Sequence, residues 1–508
     1  MDIEDDTEPG QAPQERESTF VGDVLTLVGG TTIAQAVAAL ASPVVSRLFG
    51  PEAFGVYAVF LSLAGVLGVV ACLRYEFAIM LPRSDEEGGH VLWLSLLMVG
   101  VVSLCTIPVI VILPDQIAGL FNMPALGQYL WLLPPFVFAA GVFQALNFWN
   151  SRTRHFGRLS IAQVTRTFAI TATQIGTGVA GAVAGGGLII AALVGQFTSS
   201  LMLGWQIWRD DRLLLRRSMD PVGIRASLKR YRNFPLIDTW SALLSTVASE
   251  LPVLLLAVYF SSVVVGNYSL GMTILQFPVA LIGAAVTQVF FSSAATAAHE
   301  GQEALAQVVE STVVRLAAIG LAPFLVLFII GQEAFMLIFG AQWGEAGLYV
   351  QILTPWIFAA FFTTPISALF SVLERQRDSL VLNILVLGPR IGSLAIGGVM
   401  GDPRIALGLF SCVGIAFVGG SCLWLLRKSG VPVQHLFSRM GPFLFACIPI
   451  GGVLLVARWY YVGATLPLVI IGILLMPPYF LLVLRNDPDL RSPLMSIAGM
   501  TRSIIRQR

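Results

Sequence analysis

Charged residues are scarce in this sequence. Only 12% of its 508 residues are Asp, Glu, Lys or Arg, whereas a soluble globular domain has about 25%. Hydrophobic residues account for 56% of the chain, and the mean hydropathy is +0.81. So little charge and so much apolar surface exclude an ordinary soluble domain, and the composition therefore predicts an integral membrane protein.

Cysteine and histidine are also few. The five cysteines all lie inside hydrophobic runs, which argues against a disulfide framework, and they show no metal-ligand spacing. The four histidines are scattered at the ends of predicted helices, so they form neither a metal cluster nor a catalytic triad. We therefore expect no metal and no catalytic residue. We also expect no cofactor and no nucleic-acid partner.

Long apolar runs dominate the rest of the chain. Residues 1–19 are polar and acidic and predict a disordered cytoplasmic tail, with no cleavable signal peptide. A transmembrane helix needs about 20 apolar residues, and on that criterion we predict about fourteen spans. Their approximate bounds are 21–46, 53–81, 91–113, 127–149, 159–181, 186–208, 233–258, 263–291, 312–332, 346–373, 379–400, 404–426, 441–457 and 463–484.

The basic residues indicate the orientation of these spans. With the N-terminus in the cytoplasm, most of the 30 Lys and Arg residues fall in cytoplasmic segments, including a basic linker at 209–232 and a basic tail at 485–508. The exceptions are Arg47, Arg404 and Arg458 in outer positions, and Arg74, Arg166 and Arg390 inside spans. This bias predicts a multi-pass protein with both termini in the cytoplasm.

Two segments of the chain resemble each other. Gly127–Leu146 and Gly347–Leu369 share Gly, Tyr, Leu, Pro and Phe-Ala-Ala at a constant offset of 220 residues, and Phe54–Tyr57 has a partner in Val265–Tyr268. An offset of six spans is even, so the halves run in the same direction and a pseudo-two-fold axis along the membrane normal is expected. We predict an all-α polytopic fold with an N-lobe at 20–208, a C-lobe at 233–428 and two extra C-terminal helices at 441–484.

The fifth span carries an arginine within the membrane. Arg166 shares one helix face with polar side chains, whereas an arginine facing lipid would be costly. The eleventh span carries Arg390. Arg152-Thr-Arg154 also matches Arg375-Gln-Arg377, three residues further along in the second copy, and by this local offset Arg390 falls about one residue out of register with Arg166. A buried arginine that bridges helices is one interpretation; we favour a cationic, water-filled cavity for an anionic cargo. The polar neighbours of Arg166 are Gln163, Thr167, Gln174 and Thr177.

Other polar residues within spans have two interpretations each. Arg74 and Glu76 either form a local salt bridge or contribute to the cavity, because intramembrane charges usually pair. Asp238 and Glu250 in the seventh span are counter-ions for arginines, or sites for a coupling proton or sodium ion. In the fourth span, amide side chains occur every three residues, at Gln144, Asn147 and Asn150, so we expect these amides to face the protein interior.

Two motifs, Ser46–Ala58 (SRLFGPEAFGVYA) and Leu73–Pro82 (LRYEFAIMLP), resemble bacterial oligosaccharide flippases. These belong to the multidrug/oligosaccharidyl-lipid/polysaccharide (MOP) superfamily of transporters. The resemblance implies the transfer of an undecaprenyl-diphosphate-linked oligosaccharide to the outer leaflet of the bacterial cytoplasmic membrane, for O-antigen, capsule or exopolysaccharide export. It also implies a cationic central cavity, to which Arg47, Arg74 and Arg166 would contribute the positive charge. The internal repeat adds Arg390 to this set.

Three alternatives stay open. An ion-coupled multidrug exporter would share the same plan and carry an acidic ion site in the first span, where Asp23 is the only candidate. A lipid II flippase would also share the plan, but the arginine–aspartate pattern of that family is not found in the first span. A polytopic glycan polymerase or ligase would need convergent acids or bases on the outer face, where the loops are short and lack histidine. We therefore expect a transporter rather than an enzyme, with the lipid-linked substrate, membrane lipids, a proton or sodium gradient and a polysaccharide polymerase as its partners.

Overall fold

A computed structural model of the chain describes residues 13–182, 184–461 and 463–486. These residues are mostly helical and contain no β-strand, which confirms the predicted all-α membrane fold. The predicted tails at 1–19 and 485–508 fall largely outside the described residues, as does the side chain of Asp23. The first helix begins at Pro13, so the last residues of the first predicted tail are helical.

Helical segments occur at all fourteen predicted spans, the fourteenth as two short helices of 10 and 11 residues. Twelve of them are apolar enough to cross a bilayer by length and composition. The remaining two predicted spans, the first and the fifth, form helices of 36 and 24 residues. Within the described residues, the fifth is too polar to meet the same criterion. The fifth is the helix of Arg166, and its polar face accounts for the lower hydropathy.

Contacts divide the chain into two compact units, and the boundary in the sequence falls between Leu251 and Pro252. The first unit is built from α1 (Pro13–Leu48), α2 (Pro51–Val70), α3 (Tyr75–Ala78), α4 (Asp85–Ile112), α5 (Pro114–Leu120), α6 (Pro124–Gly127), a 3-10 turn (Leu130–Leu132), α7 (Leu133–Arg152), α8 (Phe156–Val179), α9 (Gly186–Arg217), α10 (Pro221–Arg230) and a π-helical turn (Phe234–Asp238). One of its apolar clusters surrounds the fully buried Trp149. Helix α11 (Thr239–Tyr259) contains the division between the units.

The second unit continues from α11. It contains α12 (Ser262–Glu300), α13 (Gln302–Phe339), a 3-10 turn (Ala341–Trp343), α14 (Gly344–Ile366), α15 (Leu369–Val372), α16 (Gln376–Met400), α17 (Pro403–Lys428), α18 (Val433–Tyr460), α19 (Thr465–Leu474) and α20 (Met476–Asn486). Its core joins α13 to the C-terminal helices. Arg458 of α18 donates to the Ile329 carbonyl at 2.8 Å, next to the kink of α13 at Ile330, and pairs with Glu333 at 3.0 Å.

Equivalent helix pairs pack in the two units. In the first unit α4 packs on α7, α7 on α9 and α8 on α9; in the second α13 packs on α14, α14 on α17 and α16 on α17. The offset of 220 also relates two pairs of turn residues with positive φ. Arg154 and Glu374 both have φ of 56°, and Gly181 and Gly401, which follow α8 and α16, have φ of 83° and 73°. The internal repeat thus extends from sequence to helix packing and to the left-handed turns that end these helices.

The second span is broken. Helix α2 ends at Val70, and α3 begins at Tyr75 after Leu73 and Arg74, which have φ of 48° and 63°. A non-glycine residue in this left-handed region costs about 1 kcal/mol or more, so neighbouring contacts must hold the turn. Non-helical backbone at membrane depth is tolerated where it is buried in protein or lines a polar cavity. Arg74 lies at this break, directly before α3.

Candidate cationic site

Helix α8 presents Arg166 from a backbone held close to α9. Gly195 of α9 permits this approach, because a Cβ there would lie 3.1 Å from the Arg166 carbonyl oxygen and would overlap the Ile170 side chain. Ile161 and Phe168 of α8 are about half exposed, as side chains facing lipid would be. The polar face of α8, including Arg166, is only partly exposed. The helix therefore separates an apolar side from a polar one, as its sequence predicts.

Arg166 contacts aromatic side chains. Its guanidinium carbon lies 5.6 Å from the centroid of the Phe143 ring of α7. Tyr57 of α2 lies close enough for its hydroxyl to interact electrostatically with Arg166. Within the described part of the chain, no carboxylate pairs with this arginine. Among the described residues, Arg166 thus interacts with an aromatic ring and a tyrosine.

Arg390 of α16 has a similar environment. Its guanidinium carbon lies 5.4 Å from the Trp356 ring of α14 and 5.6 Å from the Phe410 ring of α17. Tyr268 of α12 interacts with it electrostatically. The buried Nε of Arg390 has no hydrogen-bond partner among the described residues, and none of their carboxylates pairs with it. Each unit thus contains an arginine from its fifth long helix (α8 or α16), a tyrosine from its second (α2 or α12) and an aromatic ring from its fourth (α7 or α14).

The two arginines are one helical turn out of register. Arg166 lies ten residues after Phe156, the start of α8, and Arg390 lies fourteen residues after Gln376, the start of α16. At about 1.5 Å per residue, they lie about 15 and about 21 Å along their helices. The predicted slip of one residue is therefore wrong. It came from aligning Arg152-Thr-Arg154 with Arg375-Gln-Arg377, whereas the left-handed turns that precede and follow these helices are related by an offset of 220 residues. Four residues complete slightly more than one turn, so the arginines occupy similar helix faces.

Arg74 lies in a cluster of opposite charges. Its Nε lies 3.1 Å from Asp238 Oδ2, and its terminal nitrogen lies 3.6 Å from Glu76 Oε1. Its guanidinium carbon also lies 4.1 Å above the Phe77 ring. These contacts support the strained turn at Leu73 and Arg74. They also place two carboxylates beside the charge of Arg74, which distinguishes this residue from Arg166 and Arg390.

The two carboxylates around Arg74 differ in exposure. Glu76 is fully buried, and Gln144 Nε2 donates to its Oε1 at 3.0 Å, while its Oε2 has no partner among the described residues. The Asp238 side chain is 48% exposed and is carried by the π-helical turn at the start of the seventh span. Asp238 therefore occupies the position of a counter-ion to Arg74, one of its two predicted roles.

Glu250 lies apart from this cluster. Its Oε2 accepts a hydrogen bond of 2.7 Å from the buried Ser62 hydroxyl of α2. In the described part of the chain no basic side chain forms a salt bridge with it, so the counter-ion role has no partner there. A carboxylate in a span with one neutral hydrogen bond is suited to binding a proton or a cation.

The remaining predicted residues lie at separate positions. Arg47 is exposed in the last turn of α1, and it interacts with other residues of the chain. Gln163 and Gln174 are partly exposed on α8, and Asn147 is partly exposed on α7. Among the described residues, no group of three or more His, Cys, Asp or Glu could hold a metal ion.

Sequence reasoning missed the tyrosines and aromatic rings around the arginines. Tyr57 and Tyr268 are the last residues of the repeated Phe54–Tyr57 and Val265–Tyr268 motifs, so the signal was present in the repeat. Phe143 and Trp356 occupy different positions in the fourth helix of each unit, and no motif marked them. Their difference follows from the register of the arginines, which meet different levels of α7 and α14.

The sequence and the fold both have known relatives. The model of a family described as polysaccharide biosynthesis protein matches residues 44–347. A solved structure of a lipid II flippase in an inward closed conformation is similar in fold, with a TM-score of 0.67 and 14% identity over 91% of this chain and 99% of that chain. An inward-facing multidrug resistance transporter of the MATE family, in the MOP superfamily, has a TM-score of 0.62 and 17% identity over 79% of this chain and 94% of that chain. No curated protein sequence matches the chain.

Proposed function

Because the chain belongs to the polysaccharide biosynthesis protein family, we propose that it transports a lipid-linked oligosaccharide across the bacterial cytoplasmic membrane. The substrate is an undecaprenyl-diphosphate-linked oligosaccharide, which moves from the inner to the outer leaflet for export as O-antigen, capsule or exopolysaccharide. A diphosphate with attached sugars cannot cross hydrocarbon unaided, because losing its hydration costs many kcal/mol. The protein must therefore supply a polar and cationic path.

One observation carries this proposal. Each unit holds an arginine near the middle of its fifth helix, among aromatic side chains and with no carboxylate partner among the described residues. An unpaired charge within a membrane is expensive, so its retention favours an anionic ligand. Arginine binds phosphate through two parallel charge-assisted hydrogen bonds, which suits the diphosphate of the lipid carrier.

The residues around each arginine have distinct roles in the proposed mechanism. The rings of Phe143 and Trp356 hold the guanidinium in place by cation–π contact without neutralising it. Gln163, Gln174 and Asn147 offer hydrogen bonds to the sugars, while the polyprenyl chain stays in lipid. Arg166 in the first unit and Arg390 in the second would each offer a guanidinium to phosphate as access alternates between the two sides of the membrane.

The transport cycle also needs a source of energy. Glu250 is our candidate for a coupling proton or sodium site, because its carboxylate has only the Ser62 hydroxyl as a described hydrogen-bond donor. Asp238 and Glu76 are less suited to this role, since both lie beside Arg74. A polysaccharide polymerase on the outer face would use the transported product.

The experiment that tests the function uses purified protein in sealed vesicles. A fluorescent undecaprenyl-diphosphate oligosaccharide is placed in the membrane, and a reagent confined to the outside reports the fraction in the outer leaflet. We expect rapid loss of leaflet asymmetry with the native protein and much slower loss with Arg166→Gln/Arg390→Gln. Equal rates for protein-containing and protein-free vesicles would reject the proposal. Chain extension of the labelled glycan, followed by chromatography, would instead indicate a polymerase or ligase.

A further inference from the structure

A cavity lies in the first unit, and neither Arg166 nor the residues described around it are among its lining residues. It has a volume of about 420 Å³ and lies between α4, α7 and α9. Its lining is almost entirely apolar and includes three tryptophans, Trp93, Trp205 and Trp208. The small residues Ser200 and Gly204 of α9 leave this space open, since larger side chains at these positions would fill it. A cavity of this character suits a hydrocarbon chain.

Two arginines stack on tryptophans of this cavity. The guanidinium carbon of Arg209 lies 5.2 Å from the Trp205 ring, and that of Arg216 lies 5.5 Å from the Trp208 ring. The Trp93 indole donates to the Leu215 carbonyl at 3.0 Å, which joins α4 to the end of α9 beside the cavity. The cavity thus has an apolar body and a cationic rim, which is the character of a site for an amphiphilic anion.

The charges at the rim favour Arg216 as the anion ligand. Arg209 is bound to Asp210 at 2.7 Å, and Asp210 also pairs with Arg158 at 2.9 Å. Asp211 accepts from the Trp149 indole and lies near Arg158. Arg216 is exposed and forms no salt bridge with a carboxylate in the described part of the chain. The following segment adds positive charge through Arg217, Arg225, Lys229, Arg230 and Arg232.

We propose that this cavity binds one anionic phospholipid of the cytoplasmic leaflet. An acyl chain fills the apolar space beside Trp205 and Trp208, and the headgroup phosphate binds the Arg216 guanidinium. The basic end of α9 is predicted to be cytoplasmic, where anionic lipids attract basic residues next to a membrane. A free phosphate has no apolar part to fill the cavity. A zwitterionic lipid has no net negative charge, so it would be attracted less strongly to Arg216. This site is independent of the proposed transport activity.

The test uses the quenching of tryptophan fluorescence by brominated lipids. The full-length protein is reconstituted in phosphatidylcholine vesicles that contain a small fraction of either brominated phosphatidylglycerol or brominated phosphatidylcholine. We expect stronger quenching by the brominated phosphatidylglycerol, and we expect Trp205→Phe/Trp208→Phe to lose most of this selective quenching. Arg216→Gln should lower the apparent affinity for phosphatidylglycerol about fivefold, which is the effect of one arginine near an anionic surface.

Matched variants distinguish a specific lipid-binding site from general attraction of anionic lipids to the basic surface. Arg217→Gln removes the next charge on α9, and it should leave the affinity nearly unchanged because Arg217 stacks on no tryptophan of the cavity. Gly204→Leu should abolish the selective quenching by filling the cavity; a Cβ at this position meets only Leu146 at an ordinary 3.6 Å. Gly100→Leu on α4 points into open space and is its control.

Three outcomes would overturn the proposal. Equal quenching by the two brominated lipids would exclude selectivity for an anionic headgroup. Equal effects of Arg216→Gln and Arg217→Gln would assign the attraction to the basic surface as a whole. Displacement of the brominated phosphatidylglycerol by equimolar undecaprenyl diphosphate would assign the cavity to the lipid carrier of the transported substrate instead.

Discussion

Replacement of Arg166 separates a substrate ligand from a structural arginine. Arg166→Gln removes a guanidinium that has no described carboxylate partner. A hydrogen bond to a charged group contributes about 1.5–3 kcal/mol, so affinity for a lipid-linked diphosphate should fall about 10- to 150-fold. Arg166→Lys should recover only part of this loss, because lysine keeps the charge but cannot bind phosphate through a planar fork.

The expected effect of Arg166→Gln on folding is small. The structural contacts of Arg166 are the Phe143 ring at 5.6 Å and the electrostatic interaction with Tyr57. A cation–π contact is worth about 0.5–1 kcal/mol at exposed sites and about 2 kcal/mol when it is desolvated. Losing it should lower the melting temperature by only a few degrees. The binding loss therefore exceeds what a stability loss of this size would produce.

Arg152 provides the matched control. Its guanidinium donates to the backbone carbonyls of Ile79, Pro82 and Ser84 at 2.9 Å each, and it pairs with Asp85 at 3.1 Å. Arg152→Gln breaks several of these bonds, each worth about 1 kcal/mol. This variant should lose stability and expression, while the protein that does fold binds substrate normally.

The assay measures two quantities on the same purified samples. A defined undecaprenyl-diphosphate sugar is titrated to obtain the dissociation constant, and thermal unfolding is followed in the same detergent without ligand. The reasoning fails if Arg166→Gln behaves as Arg152→Gln does, with a lower melting temperature and unchanged affinity. That pattern would make Arg166 a helix-bridging residue.

Three further predictions concern the stability of the fold and its orientation in the membrane. Arg74→Gln leaves Glu76 buried with no cation beside it, so stability should fall by about 3–5 kcal/mol; lost transport at a normal melting temperature would instead make Arg74 a substrate ligand. Gly195→Ala inserts a Cβ against Ile170 and the Arg166 carbonyl, and should cost about 1–3 kcal/mol in unfolding experiments. Its control, Gly176→Ala, faces open space and should be neutral or slightly stabilising. Reporter fusions should detect the outer side at Asp115, Gly185 and Ala341 and the cytoplasm at Arg216 and Arg377, and any reversed result would contradict the orientation derived from the basic residues.

Membrane helices and the internal repeat follow from the sequence alone. A span must be apolar and long enough to satisfy its own backbone hydrogen bonds in lipid, so hydropathy identifies it without tertiary information. The repeat was readable because Gly, Tyr, Pro and Phe-Ala-Ala recur in the same order. Mid-span arginines such as Arg166 and Arg390 were also visible, because few charged residues tolerate that position.

Which charges are paired could not be read from the sequence. Arg74 and Arg166 both interrupt apolar runs, yet only Arg74 lies beside described carboxylates, because a left-handed turn brings it to Glu76 and Asp238. Asp238 lies 164 residues further along the chain, and no local pattern links residues so far apart. The register of Arg166 and Arg390 likewise depended on the turns that start and end their helices. Hydrophobicity is a local property of the chain, whereas the pairing of charges depends on which helices pack together.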